Sequence, residues 1–283
     1  MNTPLVTIVV VSYNHAKYII ENLDSIKAQT YTNIELIVAD DASSDDSVIV
    51  FDNWLIENEY TAKKNYHTKN TGLATVLNEC VEMATGKYIK LIAADDQLCF
   101  DYIERCVNKL VLDKTELVFT NAYEIDENSK IVNENYFNIL YYDNIIEMEN
   151  LLLKNNFISG STLMTSLNLY QKIGKYYSKT LLEDYNLVLR AVTNNYFISS
   201  LNENLIKYRR HGDNITSTKF ELLEYETIKE KIIFDKNGQY SSIIHDDIRK
   251  QKKNKNQYLS KLNKHYITYK GFNFKFWILN FIL

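Results

Sequence analysis

The run LVTIVVVSYN at residues 5–14 decides the class of fold. Seven successive apolar or β-branched residues, Leu5 to Val11, with no polar alternation describe a strand buried on both faces. The runs IELIVADD at 34–41 and YIKLIAADD at 88–96 repeat the pattern. Each ends in polar residues: Ser12, Tyr13 and Asn14 after the first, Asp40 and Asp41 after the second, Asp95 and Asp96 after the third. Helical periods lie between them. Ile19, Leu23 and Ile26 share one face, Val48, Phe51, Trp54 and Leu55 a second, and Leu73, Val76, Leu77, Cys80, Val81 and Ala84 a third. Strand and helix in alternation predict a mainly parallel sheet with helices on both sides, a Rossmann-like half. Ligands of such sheets lie beyond the carboxyl ends of the strands, so the three polar clusters are predicted to face one ligand.

The composition agrees. A chain of 283 residues, 46% hydrophobic, has material for one large α/β domain with a smaller appendage. One Pro and seven Gly among 22 Tyr and 12 Phe leave little linker-like sequence. Cys80, Cys99 and Cys106 match neither a redox pair nor a zinc knuckle, and read as buried thiols in a reducing compartment. Leu5 to Val11 lacks a basic leader and a cleavage site, so it is not read as a signal peptide and the chain is expected in the cytoplasm.

The net charge of -4 is unevenly spread. From Arg249 onward there are nine Lys or Arg and no Asp or Glu, and the chain closes on the aromatic run FNFKFWILNFIL at 272–283. That run is far shorter than the ~20 residues of a spanning helix. A basic stretch followed by aromatic and aliphatic residues suits an anionic membrane face, and suits equally a Lys-rich helix whose end packs back on the core. Nucleic acid is not expected as a partner, because the rest of the chain is acidic and repels phosphate.

Past the first half the pattern is less regular. A strand is predicted over Leu117–Ala122, a helix near Ile145–Leu153, a short strand at Ser161–Met164, a helix opened by Glu183 and Asp184, a strand at Leu205–Arg210, and helix from Lys219. The domains are therefore drawn as 1–216, split into a donor half (1–122) and an acceptor half (123–216), and a helical extension at 217–283 carrying the basic aromatic tail.

Adjacent carboxylates at a strand end make a hard oxygen site for Mg²⁺ or Mn²⁺, ions that complete their shells with water and substrate phosphates. Neither a GxxxxGK[ST] loop nor a GxGxxG turn is present, so a metal rather than a glycine cradle is expected at a diphosphate. Each acid also has a plainer reading. Asp95 and Asp96 can cap a helix over Phe100–Lys109, Asp40 and Asp41 head a turn-rich stretch, and Asp184 can be a helix-start acid. Three acids at three element ends favour the site.

The ordered motifs resemble those of family 2 glycosyltransferases with the GT-A fold. Thr7 to Asn14 resembles the family's opening strand and turn, and Gln29-Thr30 with Ile34 to Ser47 resembles its "QT…E…VDDGStD.S" segment. Asn70 to Asn78 and Ala84 to Asp96 resemble "N.G…N…A.G.Yi…DD", Leu182 to Arg190 resembles "EDy.L.lR", and Tyr208 to Asn214 resembles "YR.Hg.n". The resemblance implies an inverting transfer from a nucleotide diphosphate sugar, with UDP favoured, to a hydroxyl of a glycan or lipid-linked glycan, as in bacterial surface polysaccharide synthesis. It sets Val11, Ser12, Tyr13, Asp41, Asn70 and Asp95 on the nucleotide sugar, Asp96 on Mn²⁺ or Mg²⁺, and Asp184 as the base. His211 is divided between a place on the metal or diphosphate and a plain surface position beside Arg209 and Arg210. Glu183 reads as support for Asp184.

Two departures stand out. Ala93 replaces an Asp that many relatives carry two places before the pair, and Ala42 replaces the usual Gly of the second loop. Two other functions stay in view: a non-catalytic module that binds nucleotide sugar or glycan within an assembly complex, and a nucleotidyltransferase, for which no Gly-rich basic first loop is present.

Overall fold

The β-branched runs do form the middle of a sheet. The computed structural model describes residues 3–262 except 138, 139, 141, 213 and 236, with the side chain of residue 217 also left aside. Strands β1 (Val6–Ser12), β2 (Ile34–Asp40), β3 (Ala62–Tyr66) and β4 (Tyr88–Ala93) pair in parallel in the order β3-β2-β1-β4. Helices α1 (Ile19–Lys27), α2 (Ser47–Glu57) and α3 (Leu73–Met83) connect them. The sheet continues through β5 (Gln97–Leu98), β6 (Leu117–Ile125), β7 (Ile131–Asn133), β8 (Leu163–Ser166) and β9 (Ile198–Arg209), reaching nine strands among the described residues. β8 lies antiparallel between β4 and β6, β9 runs parallel to β6, and β5 and β7 pair antiparallel at the margins.

Because strand side chains alternate faces, β1 feeds two cores. Val6, Ile8 and Val10 pack with residues of α1, α2 and α4 (Tyr102–Asp113), while Val9 and Val11 pack with α3, α5 (Ile145–Lys154) and α7 (Glu183–Thr193). α6 (Leu167–Ile173) follows β8 on this second side. The strand expected at Ser161–Met164 begins at Leu163, because residues 160–162 turn as a short 3₁₀ helix. The strand expected at Leu205–Arg210 begins earlier, at Ile198, and its pairing with β6 shifts register near Thr120 to Ala122.

The helices after residue 217 share the second core. Beyond the short α8 (Ile215–Thr218), α9 (Phe220–Phe234) contributes Tyr225, Ile228 and Ile232, and α10 (Ser241–Lys253) contributes Ile244 and Ile248, to the cluster holding Leu187 and Val188 of α7. α9 also buries Glu226, Lys229, Glu230 and Lys231. Thr180 Oγ1 donates to Glu226 Oε2 (3.0 Å) and Asn186 Nδ2 to Glu230 Oε2 (2.8 Å), so the buried charges grip the start of α7. Among the described residues no helix is long and apolar enough to cross a membrane. The basic aromatic tail, including 272–283, lies outside the described residues.

One consequence of the topology positions everything that follows. β8 runs antiparallel to β4 with Lys90 opposite Met164, so the 160–162 turn before β8 lies at the carboxyl end of β4. The carboxyl end of β9 reaches the same edge, where Arg209 N–H donates to Asp96 Oδ1 (2.9 Å).

Candidate active site

The loops after β1 and β2 and before α3 are tied into one wall. Asn14, in the left-handed region at φ 61°, accepts from Ser44 N–H at 2.8 Å, and its own N–H donates to Ser43 Oγ at 2.8 Å. Asp40 turns back to accept from Ser43 N–H (2.7 Å), and Ala42 sits at φ 62°. That backbone conformation is why a Gly is usual there, and an L residue tolerates it at a cost of about 1 kcal/mol. Asp41 spans to the third loop: Oδ1 accepts from Thr71 N–H (2.7 Å) and Oδ2 from Gly72 N–H (2.8 Å). His67 Nδ1 stands 3.3 Å from the same carboxylate. Val11 and Ser12 are buried at the strand end, whereas Tyr13 and Asn70 are exposed on the wall, open to a ligand.

Asp95 and Asp96 follow β4 but do not cap the next helix. α4 begins only at Tyr102, with Asp101 before it and β5 between. The two carboxyls part. Asp95 Oδ2 lies 3.0 Å from His211 Nε2, and Oδ1 lies 3.8 Å from His15 Nδ1. Ligand atoms of His15, Asp95 and His211 all lie within 4.8 Å of one another, a group that can hold a metal ion. Asp96 is not in that group: it is 2% exposed, and Oδ1 accepts the Arg209 main-chain N–H.

The electrostatics follow the geometry. Burial alone would raise Asp95, but the hydrogen bond from His211 and the charges of His15 and His211 outweigh it and hold the carboxyl below its usual range. Burial drives Asp96 well above the usual carboxylate range, and the neighbouring Asp95 charge adds to it. The donor set passes a simple fit test for a cation. His15 Nδ1 is buried with no hydrogen-bond partner, which is costly unless something such as a metal takes its lone pair. Two imidazoles beside a carboxylate are also softer than an all-oxygen site, which tilts the choice from Mg²⁺ toward Mn²⁺.

The fully buried Arg209 holds this loop from behind. Its Nε donates to Asp95 O (2.7 Å), Nη1 to Asp126 O (3.0 Å) and Ser129 Oγ (2.9 Å), and Nη2 to Glu21 Oε2 (2.7 Å). The guanidinium also lies 4.5 Å from the centre of the Tyr18 ring.

Asp184 stands in the first turn of α7. Its Oδ2 accepts from Gly160 N–H and its Oδ1 from Tyr185 N–H, both at 2.7 Å. A Cβ at residue 160 would fall 2.9 Å from Asp184 Cβ, so only Gly allows this approach. Asp184 as a residue is half-buried, and its carboxyl is crowded by protein. That crowding raises Asp184 above the usual range, opposed by the Gly160 and Tyr185 N–H groups. Glu183 goes higher, to about 8, through burial and the Asp184 charge. Both carboxyls thus hold their protons more tightly than free ones, and ionising one disfavours ionising the other.

Sequence reasoning passed over His15 and Gly160. His15 follows directly on the Ser12-Tyr13-Asn14 turn, and a Gly is conspicuous in a chain with only seven, so position was the available signal. What each touches was not visible without the fold.

The family model for Glycosyl transferase family 2 matches residues 7–174. The chain is 33% identical over 233 residues to the uncharacterized glycosyltransferase RP339 of Rickettsia prowazekii, covering 80% of this chain and 70% of that one. It is 26% identical over 229 residues to glycosyltransferase GlyG of Streptococcus pneumoniae, covering 77% and 75%. Among solved structures it resembles Staphylococcus aureus TarS 1–349 in complex with UDP-GlcNAc, with a TM-score of 0.67 at 17% identity over 94% of this chain and 73% of that one. It also resembles the mannosyltransferase PcManGT from Pyrobaculum calidifontis in complex with GDP-Man and Mn²⁺, with a TM-score of 0.62 at 17% identity over 86% and 69%. At that identity the structural likeness shows the shared GT-A fold.

Proposed function

The chain belongs to glycosyl transferase family 2 and is a glycosyltransferase, and from this premise we propose that it moves a sugar, with inversion, from a UDP-sugar to a glycan hydroxyl. The observation that carries this reading is that a metal-competent cluster and a carboxyl gripped by main-chain N–H groups both lie at the carboxyl end of β4. His15, Asp95 and His211 lie after β1, β4 and β9, and the turn that holds Asp184 adjoins β4 across β8.

Asp184 accepts the proton of the acceptor hydroxyl as that oxygen bonds to the anomeric carbon. The bond from that carbon to the diphosphate oxygen breaks, and its electron pair leaves with the nucleoside diphosphate. Asp184 must be ionised for this, and its two N–H donors favour the ionised form. A divalent cation held by His15, Asp95 and His211 would neutralise charge on the leaving diphosphate. The ligand role that the sequence suggested for Asp96 thus passes to Asp95, with Asp96 keeping the loop in place through Arg209 N–H. Tyr13, Asn70 and the Asp41 loop line the nucleoside side. TarS bound UDP-GlcNAc and PcManGT bound GDP-Man, and the first of these supports UDP as the donor to try first.

The acceptor is proposed as a glycan or lipid-linked glycan of a bacterial surface polymer, met at an anionic membrane face. Support for the membrane comes only from the basic aromatic tail. Deleting residues 268–283 is expected to release the protein from anionic vesicles. For the reaction, purified protein with Mn²⁺ is mixed with UDP-, GDP- and dTDP-sugars and nucleoside diphosphate release is followed. Absence of both binding and release across that panel defeats the reading.

A further inference from the structure

Lys90 occupies the middle of β4, on the face that also carries Tyr88 and Ile92, and is fully buried. A lysine there is costly, since an ammonium taken out of water loses several kcal/mol of solvation that an aliphatic residue would not. Its partners are main chain and ring. Nζ donates to the carbonyls of Ser161 and Leu163, the latter at 3.3 Å, and stands 4.8 Å from the centre of the Tyr102 ring. The hydroxyl of Tyr102 donates to the carbonyl between them, that of Thr162, at 3.1 Å. Two buried side chains thus grip three successive carbonyls.

Sheet pairing does not require this. β4 and β8 are already hydrogen bonded as neighbours, and the gripped turn lies at the ladder's end. The turn begins at Gly160, whose N–H meets Asp184. We infer that Lys90, assisted by Tyr102, is a positioning residue for Asp184, fixing the 160–163 turn so that Gly160 N–H holds the carboxylate aimed and ionised. The inference rests on Asp184 being the base. Burial draws Lys90 down to about 7, against the pull of Cys106 and Asp96 that face it. A neutral amine still carries hydrogens for both carbonyls, so the grip does not depend on its titration.

The test uses the full chain with Mn²⁺ and follows hydrolysis of whichever nucleotide sugar in the UDP, GDP and dTDP panel turns over fastest. Lys90→Met is expected to lower kcat about ten- to hundredfold and to leave the donor KM within about twofold. The acid limb of the kcat profile is expected to move to higher pH, because a carboxylate that loses an N–H donor binds its proton more tightly. Tyr102→Phe removes one hydroxyl and keeps the ring, so the same changes are expected at smaller size. It decides the matter if a thermal melt shows that Lys90→Met does not fold. Turnover retained by Asp184→Asn would remove the base assignment and this inference with it. If Asp184→Asn is inactive while the folded variants keep both kcat and the acid limb, the Lys90 inference alone is overturned. A loss of kcat with an unmoved acid limb overturns it too, since that is what a general loosening of the fold gives.

Discussion

The chain carries two adjacent acid pairs at element ends, Asp95-Asp96 after β4 and Glu183-Asp184 at the start of α7, and the fold treats them in opposite ways. In the first, one carboxyl faces two imidazoles and is held low while its neighbour turns inward and is driven up. In the second both are driven up, and the member that accepts two main-chain N–H bonds rises under restraint while Glu183 reaches about 8. A cation ligand has to stay ionised at every working pH, and a carboxyl held low, as Asp95 is, meets that need. A general base has to bind a proton and lose it again, and crowding offset by neutral N–H donors suits that cycle. The same pattern in sequence thus meets two environments, imidazoles around Asp95 and main-chain N–H groups around Asp184.

The sharpest break in this comparison is Asp184→Asn, which should lower kcat about 10³-fold while nucleotide affinity in the presence of Mn²⁺, measured by calorimetry, stays nearly intact. Next in size, Asp95→Ala should weaken Mn²⁺ binding by more than about 100-fold, since losing a ligand exceeds the loss of a supporting group. Asp96→Asn should cost no more than about fivefold in Mn²⁺ affinity, because the amide oxygen still accepts Arg209 N–H. An effect equal to that of Asp95→Ala would return the ligand role to Asp96. The smallest change belongs to Glu183→Gln, which imitates the neutral acid and should keep turnover at pH 7 within about twofold of the parent. With Asp184 as the proposed base, turnover in the parent should fall as pH drops through a value above the ordinary carboxylate range. On the alkaline side, any change in rate near pH 8 should disappear in Glu183→Gln, because no second carboxylate then forms beside the first.

Much of this frame was open to reading before the fold was known. The β-branched runs of β1, β2 and β4 leave no other use than a doubly covered sheet, and acids at their ends fall where ligands bind. β3 was hidden because its sequence is Ala-Lys-Lys-Asn-Tyr, an edge strand with water on its flank. β5 is two residues long and carries no period at all. The fate of the two aspartates was not legible, since adjacent carboxyls look alike in sequence and the N–H that separates them comes from Arg209, 113 residues later. For the same reason α9 could be read only as helical. Its buried Glu226, Lys229, Glu230 and Lys231 resemble a solvated face until Thr180, Asn186 and Asp247 are seen against them.

Arg209 has a mechanical consequence. Because one guanidinium is bonded at once to the carbonyl of Asp95, to the 126–129 turn and to Glu21 on α1, it acts as a yoke joining three separate stretches of chain. Displacing any one of these three segments therefore strains the bonds that hold the other two.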